Sequence, residues 1–208
     1  MPQAEFQTYF HRRAGRFSAF YRSEQVARAL GRGPLFDRLH FAVDQSVALG
    51  ARRALDVGCG SGPLFRPLAG AGVHVTGVDP ADAMVGLAQA EAAKYPGLVD
   101  VRQQGWEQID EEDAYDVAIA LGVFDYVDEP VDLLLRMGRA APHVLGSFPA
   151  PGLRLQLRRA RYGARGVHVH GRRPDDLNRL AAAAHLEIAE IRPLGHAGYA
   201  VHFRRPIP

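Results

Sequence analysis

Three groups of residues in this 208-residue chain have types and spacings that could do chemistry. The first is Asp56-x-Gly58-Cys59-Gly60-x-Gly62, followed by a second carboxylate at Asp79. Glycines at alternate positions let a ligand approach the backbone closer than any Cβ allows, and they supply turn dihedrals that other residues resist. Two acids beside such a turn could hold an ammonium and a pair of hydroxyls. The second group is Asp125-Tyr126, a carboxylate next to a phenol. The third is the stretch 152–173, which carries Arg154, Arg158, Arg159, Arg161, Arg165, Arg172, Arg173, His168 and His170 without one acid. That pattern suits an anion.

The elements around the first group read clearly. Residues 54–57 are a short apolar strand, 58–62 a turn, and 74–79 a second strand closing on Asp79. Pro63 suits a first helical position, where its fixed φ helps and its missing N–H is not needed. Leu64, Phe65 and Leu68 give that helix an apolar face, and Gly70 and Gly72 stop it. This is a nucleotide-binding half-unit, but not the dinucleotide fingerprint, which wants Gly or Ala at position 63. Asp56 at the mouth of the first strand would also repel a pyrophosphate. A ligand with an ammonium and a ribose but no phosphate fits better, and S-adenosylmethionine (SAM) is such a ligand.

Asp56-x-Gly58-x-Gly60-x-Gly62, with Asp79 ending the next strand, resembles motif I of the class I, Rossmann-like SAM-dependent methyltransferases of small-molecule type. The resemblance implies that Gly58, Cys59, Gly60 and Gly62 wrap the methionine part of the cofactor. It also implies that Asp56 holds the ammonium directly or through water, that Asp79 takes the ribose hydroxyls, and that Pro80 and Met84 lie beside the adenosine. Where many relatives carry an acid for the adenine amino group, this chain reads Gln104-Gly105-Trp106. Gly105 then stands in the acid's place, and Trp106 offers adenine its indole face or its backbone N–H, or else fills the core. Leu121, the last residue of the fourth strand, is a further expected cofactor contact. The implied fold is a single α/β domain over 1–208, with a helical cap at 1–50 and a Rossmann-like core at 51–208. That core has a seven-stranded, mostly parallel sheet with helices on both faces, a terminal antiparallel strand pair, and 152–173 as an insertion.

Periodicity supplies the remaining elements. Leu35, Leu39, Val43 and Val47 predict a helix buried on that stripe, and 80–95 predict another with Met84, Leu87 and Ala88 inward. Strands are expected at 98–103, 115–121, 143–148, 186–191 and 199–204, and helices at 130–139 and 175–185. Ligands of open parallel sheets lie beyond the carboxyl ends of the strands. Asp125 and Tyr126 are therefore candidate catalytic residues, as base or as acceptor-positioning groups; relatives acting on small molecules often carry a His where Tyr126 stands. Tyr9, His11 and Tyr21 are candidate acceptor contacts from the cap. Arg158 and Arg161 are candidates from a flap at 152–173 closing over an anionic acceptor, with apolar contact from Leu153, Leu155 and Leu157. The spacing around Tyr9, Tyr21 and Phe148-Pro149 distantly resembles the magnesium-protoporphyrin carboxyl methyltransferases.

Composition narrows the function. The chain is 47% hydrophobic and 23% charged, with net charge +2, and Lys94 is the only lysine. The arginine excess, beside abundant Ala, Gly and Pro, is what a GC-rich genome writes, so nucleic acid is disfavoured as a partner. An RNA methyltransferase using 152–173, or a noncatalytic SAM-binding protein, are the alternatives. One cysteine allows no intramolecular disulfide and no cysteine metal cluster, and no metal is expected. The first residues lack a signal-peptide pattern, and no apolar run reaches the ~18 residues that would span a bilayer. A cytoplasmic monomer or homodimer without a membrane partner is expected. Methyl transfer mainly requires a nucleophile held in line, with a base only if that nucleophile starts protonated. Residues 121–126 lack the prolines of the tetrad that serves planar exocyclic amines, and Cys59, committed to the loop, cannot serve as the nucleophile that pyrimidine C5 methylation needs. O-methylation of a carboxylate, phenol or hydroxyl on a small molecule is the expectation.

Overall fold

The structure is a computed structural model that describes residues 24–163 and 166–207. Tyr9, His11 and Tyr21 lie outside the described residues. The chain divides into two compact units, Met1–Gln108 and Ile109–Pro208. The first runs α1 (Glu24–Ala29), α2 (Gly33–Ala48), β1 (Arg53–Val57), α3 (Phe65–Gly70), β2 (His74–Asp79), α4 (Asp82–Ala92) and β3 (Val99–Gln103). The second runs β4 (Val117–Ala120), α5 (Pro130–Ala140), β5 (His143–Pro149), α6 (Leu153–Gly163), α7 (Pro174–Ala183), β6 (Glu187–Pro193) and β7 (Gly198–Arg204). The strands form one seven-stranded sheet in the order β3-β2-β1-β4-β5-β7-β6.

In the first unit, β2 pairs parallel with β1 and with β3, and α4 packs on β2 and β3. Helix α2 is confirmed, but its buried face is Phe36, Leu39, Ala42 and Ser46, while Val47 is exposed. Phe41 is fully buried as well, and Leu35 and Val43 are half-buried, so the two aromatic rings widen the buried face beyond the expected stripe. Helix α3 begins two residues after Pro63, which lies in a turn. It is Pro67 that occupies the first helical turn, where a missing N–H costs nothing. Pro80 precedes α4 rather than joining it.

In the second unit, all four residues of β4 are buried, the continuous apolar run of a strand covered on both faces. It pairs parallel with β5, and β7 then runs antiparallel to both β5 and β6. Helix α5 starts on Pro130 and buries Leu133, Leu134 and Met137. Gly198 begins β7 at φ +140°, where a Cβ would lie 1.9 Å from the Phe148 carbonyl oxygen, so only glycine permits this close pairing. The arginine-rich stretch opens with α6, of whose three leucines only Leu155 is buried; Leu153 and Leu157 are 72% and 63% exposed. The expected shared apolar contact fails because Leu155 falls on the face opposite Leu153 and Leu157 of a 3.6-residue helix.

Candidate functional site

The glycine turn is built on the end of β2. The N–H groups of Gly58 and Cys59 both donate to the Val78 carbonyl, at 2.8 and 3.0 Å, which folds the chain leaving β1 over its neighbour. Gly58, Gly60 and Gly62 have φ of 67°, 56° and 76°, in the left-handed region that L side chains resist. The glycines differ in what they make room for. A Cβ on Gly62 would lie 2.4 Å from the Phe65 ring, and one on Gly77 would lie 2.7 Å from that ring and 3.0 Å from Cys59 Sγ. These two admit a buried phenylalanine. Gly60 alone of the three loop-and-strand glycines Gly60, Gly62 and Gly77 has nothing within 4 Å of an added Cβ.

The carboxylates are at the carboxyl ends of the same two strands. Asp79 accepts the Gly60 N–H on Oδ2 at 3.0 Å and the Ala81 N–H on Oδ1 at 2.9 Å, so it ties the loop to β2. Burial raises its pKa, and the Ala81 and Gly60 N–H groups oppose that rise. Asp56 is only 3% exposed. Burial, and then the charge of Asp79, push its pKa up to about 7. Its Oδ2 is buried without any hydrogen-bond partner, a state that costs about 1–3 kcal/mol. The Cys59 thiol is pushed well up by burial and then by both aspartates, so it stays protonated and inert.

Around this pair, Met84 is buried against Ala81, Ala83 and Leu87, and Pro80 is half-buried. The loop after β3 is closed on itself: Gly105 N–H donates to Gln108 Oε1 at 2.9 Å, and Gln104 Nε2 donates to the Gln108 carbonyl at 2.9 Å. Trp106 is half-exposed in a single helical turn, Trp106–Gln108, and so does not fill the core.

The second group lies just beyond β4. Leu121 is half-buried, and the next residue's N–H, Gly122, donates to buried Ser147 Oγ at 2.9 Å. Asp125 is 6% exposed and accepts from Arg158 Nη2 of α6 at 2.7 Å. Burial works to lower the Arg158 pKa, but the charge of Asp125 and its hydrogen bond outweigh it and hold the guanidinium charged. The Tyr126 phenol is pushed up by burial and then by Asp125, so it stays neutral. The acids missing from 152–173 are supplied by this loop. The backbone N–H of His170 donates to the Asp125 carbonyl at 2.8 Å, Arg172 Nη2 to the Asp128 carbonyl at 2.9 Å, and Arg159 Nε to the Val169 carbonyl at 2.8 Å. His170 Nε2 is 2.9 Å from Asp128 Oδ1 but lacks the alignment of a hydrogen bond, and stays unsatisfied. Arg161 is exposed on α6. Tyr162, whose ring centroid is 5.9 Å from the Arg158 guanidinium, was hidden in the charge run. Its i, i+4 spacing from Arg158 was the available signal. Among the described residues no cluster of three or more His, Cys, Asp or Glu could hold a metal.

Two parallel strands ending on a glycine turn and paired acids, in a seven-stranded sheet with an antiparallel final strand, define the class I methyltransferase fold. The family model described as "Methyltransferase domain" matches residues 12–191, and the chain belongs to that family. Among curated relatives, the ubiquinone biosynthesis O-methyltransferase of Marinobacter nauticus is 38% identical over 109 residues, 49% of this chain and 45% of that protein. The one from Aromatoleum aromaticum is 28% identical over 164 residues, 72% of this chain and 70% of the relative. The chain spans about half the length, or less, of the first curated relatives it matches. Of solved structures, the magnesium protoporphyrin IX methyltransferase of Synechocystis with bound S-adenosylhomocysteine superposes with TM-score 0.71 at 23% identity, covering 84% of each chain. At that identity the likeness speaks for the fold.

Proposed function

We propose that the protein transfers a methyl group from SAM to an oxygen (carboxylate, phenol or hydroxyl) of a small acceptor that carries negative charge. The observation carrying this reading is the buried carboxylate pair, with Asp56 Oδ2 unpartnered and Gly60 open beside it. Two buried acids with no cation among the described residues call for a ligand that brings a positive donor, and the SAM ammonium is one. Asp56 takes that ammonium. Asp79, whose oxygens each keep lone pairs beyond those used by the loop amides, takes ribose hydroxyls. Gly58, Cys59 and Gly62 shape the loop, while Pro80, Met84, Gly105 and Trp106 complete the surroundings of the cofactor. When bound, SAM supplies a methyl group already activated on a sulfonium. The chain's own residues have only to orient the acceptor and exclude water.

Arg158, kept charged by Asp125, anchors the acceptor, and Tyr126, kept neutral, is a hydrogen-bonding group beside it; neither Asp125 nor Tyr126 acts as a base. A carboxylate that is itself methylated needs no base, whereas a phenol or hydroxyl acceptor passes its proton to solvent water as the methyl group arrives. The names of the curated relatives support oxygen as the methylated atom. Localisation in the cytoplasm and a monomeric or homodimeric state complete the reading; no helix among the described residues is long and apolar enough to cross a membrane.

Calorimetry with SAM tests it. Asp79→Ala removes charge-assisted hydrogen bonds of about 1.5–3 kcal/mol each, so affinity falls at least tenfold. Unchanged affinity would remove Asp79 from the cofactor site. Labelled SAM with an extract of source cells then identifies the methylated compound.

A further inference from the structure

The cluster beyond β4 contains a buried charge pair that the cofactor reading does not use. Asp125 is on the loop after β4 and Arg158 on α6, 33 residues further along the chain. Arg158 keeps a third of its side chain exposed while Asp125 is almost fully covered. A guanidinium has five N–H donors; Arg158 uses one on Asp125 and a further contact on the Tyr126 oxygen. The Tyr162 ring stands 5.9 Å from the guanidinium carbon, and the neutral phenol of Tyr126 is next in sequence to Asp125. Two further nitrogens in the stretch that grips this loop, His170 Nε2 and Arg172 Nε, are buried without a hydrogen bond. Nitrogens are the atoms left without a hydrogen bond here, whereas at the carboxylate site it is an oxygen, Asp56 Oδ2.

We infer that Arg158 is the receptor for the acceptor's carboxylate, that Asp125 is its internal placeholder, and that Tyr162 and Tyr126 frame a flat aromatic body attached to that carboxylate. This rests on the methyltransferase reading above and names the substrate class of that enzyme, a small aromatic acid. A carboxylate matches the guanidinium fork in a planar, two-pronged way that few other small anions share. An aromatic ring packs on tyrosine faces at low entropic cost. In the absence of acceptor, Asp125 satisfies Arg158 and keeps the loop in place. On entry the acceptor shares or takes over the guanidinium, and Asp125 therefore competes with it.

This competition predicts effects of opposite sign, which a purely structural ion pair would not produce. The probes are 3,4-dihydroxybenzoate and catechol, which differ only by the carboxylate, titrated by calorimetry into protein saturated with S-adenosylhomocysteine. Wild type should bind the acid at least tenfold more tightly than catechol. Arg158→Gln should abolish that difference, and Asp125→Asn should widen it about threefold or more. Tyr162→Leu should weaken both compounds and leave the ratio intact. Arg158→Lys, a milder change in case a variant fails to fold, should retain part of the preference.

Equal affinities in wild type, no binding of either compound, or the same loss in Arg158→Gln and Asp125→Asn would each overturn the assignment. Failure of S-adenosylhomocysteine itself to bind would instead defeat the cofactor reading. The two failures are thus told apart within one experiment.

Discussion

The carboxylate site of the first unit and the ion-pair site of the second handle buried charge in opposite ways. Asp56 and Asp79 are 3% and 8% exposed and have no cation among their described partners; backbone N–H groups serve Asp79, and Asp56 Oδ2 goes unserved. Asp125 is as deeply buried, yet Arg158 neutralises it at 2.7 Å. Buried charge is costly unless it is paired. A site that leaves it unpaired keeps that cost as a call for a ligand of opposite sign. A site that pairs it internally is stable when empty, and a ligand must compete for the partner.

The contrast can be broken most sharply at the glycines. Gly62→Ala forces a methyl into the fully buried Phe65 ring at a left-handed φ, and should cost about 3–5 kcal/mol in chemical denaturation. Gly60→Ala meets no atom within 4 Å and pays only the backbone strain of about 1–2 kcal/mol. It should fold and yet bind SAM at least tenfold more weakly. If Gly60→Ala binds normally, the open space beside it is not the cofactor's.

The unpaired charge should also appear in the pH dependence of stability. The folded pKa of Asp56, about 7, is above its ordinary value of 3.8, so the native state holds the proton more tightly than the unfolded chain. The unliganded protein should therefore lose stability as pH rises from about 4 to about 7, and level off above, with a change on the order of 4 kcal/mol. Asp56→Asn should flatten this slope in urea titrations. SAM affinity should run the other way, rising towards pH 7 and then holding, because the ammonium prefers the ionised carboxylate. A flat stability profile for the wild type would mean that Asp56 is not desolvated as described.

At the paired site, Arg158→Ala strands a buried carboxylate. With the guanidinium a third exposed, the cost should be about 1–3 kcal/mol, below that of a fully buried pair. The double variant Asp125→Asn with Arg158→Ala should be less destabilised than the sum of the single changes, and strict additivity would deny the coupling. The smallest effect belongs to the outer face of α6. Leu157→Gln should change stability by no more than about 0.5 kcal/mol, whereas Leu155→Ala should cost about 2–3 kcal/mol, since Leu155 is 4% exposed.

The sequence by itself determined whatever is local. The turn Asp56 to Gly62, the strand closing on Asp79, and most element positions could be read because hydrophobic period and turn chemistry act over a few residues. Tertiary structure alone decided which glycine leaves space and which admits Phe65. It also buried Phe36 and Phe41 of α2 while leaving Val47 exposed, and it gave Arg158, inside the acid-free stretch 152–173, a counter-charge. Asp125 meets Arg158 only after β5 and α6 have been laid down between them. No periodicity encodes such a contact, because it depends on how elements pack and not on the order of residues within any one of them.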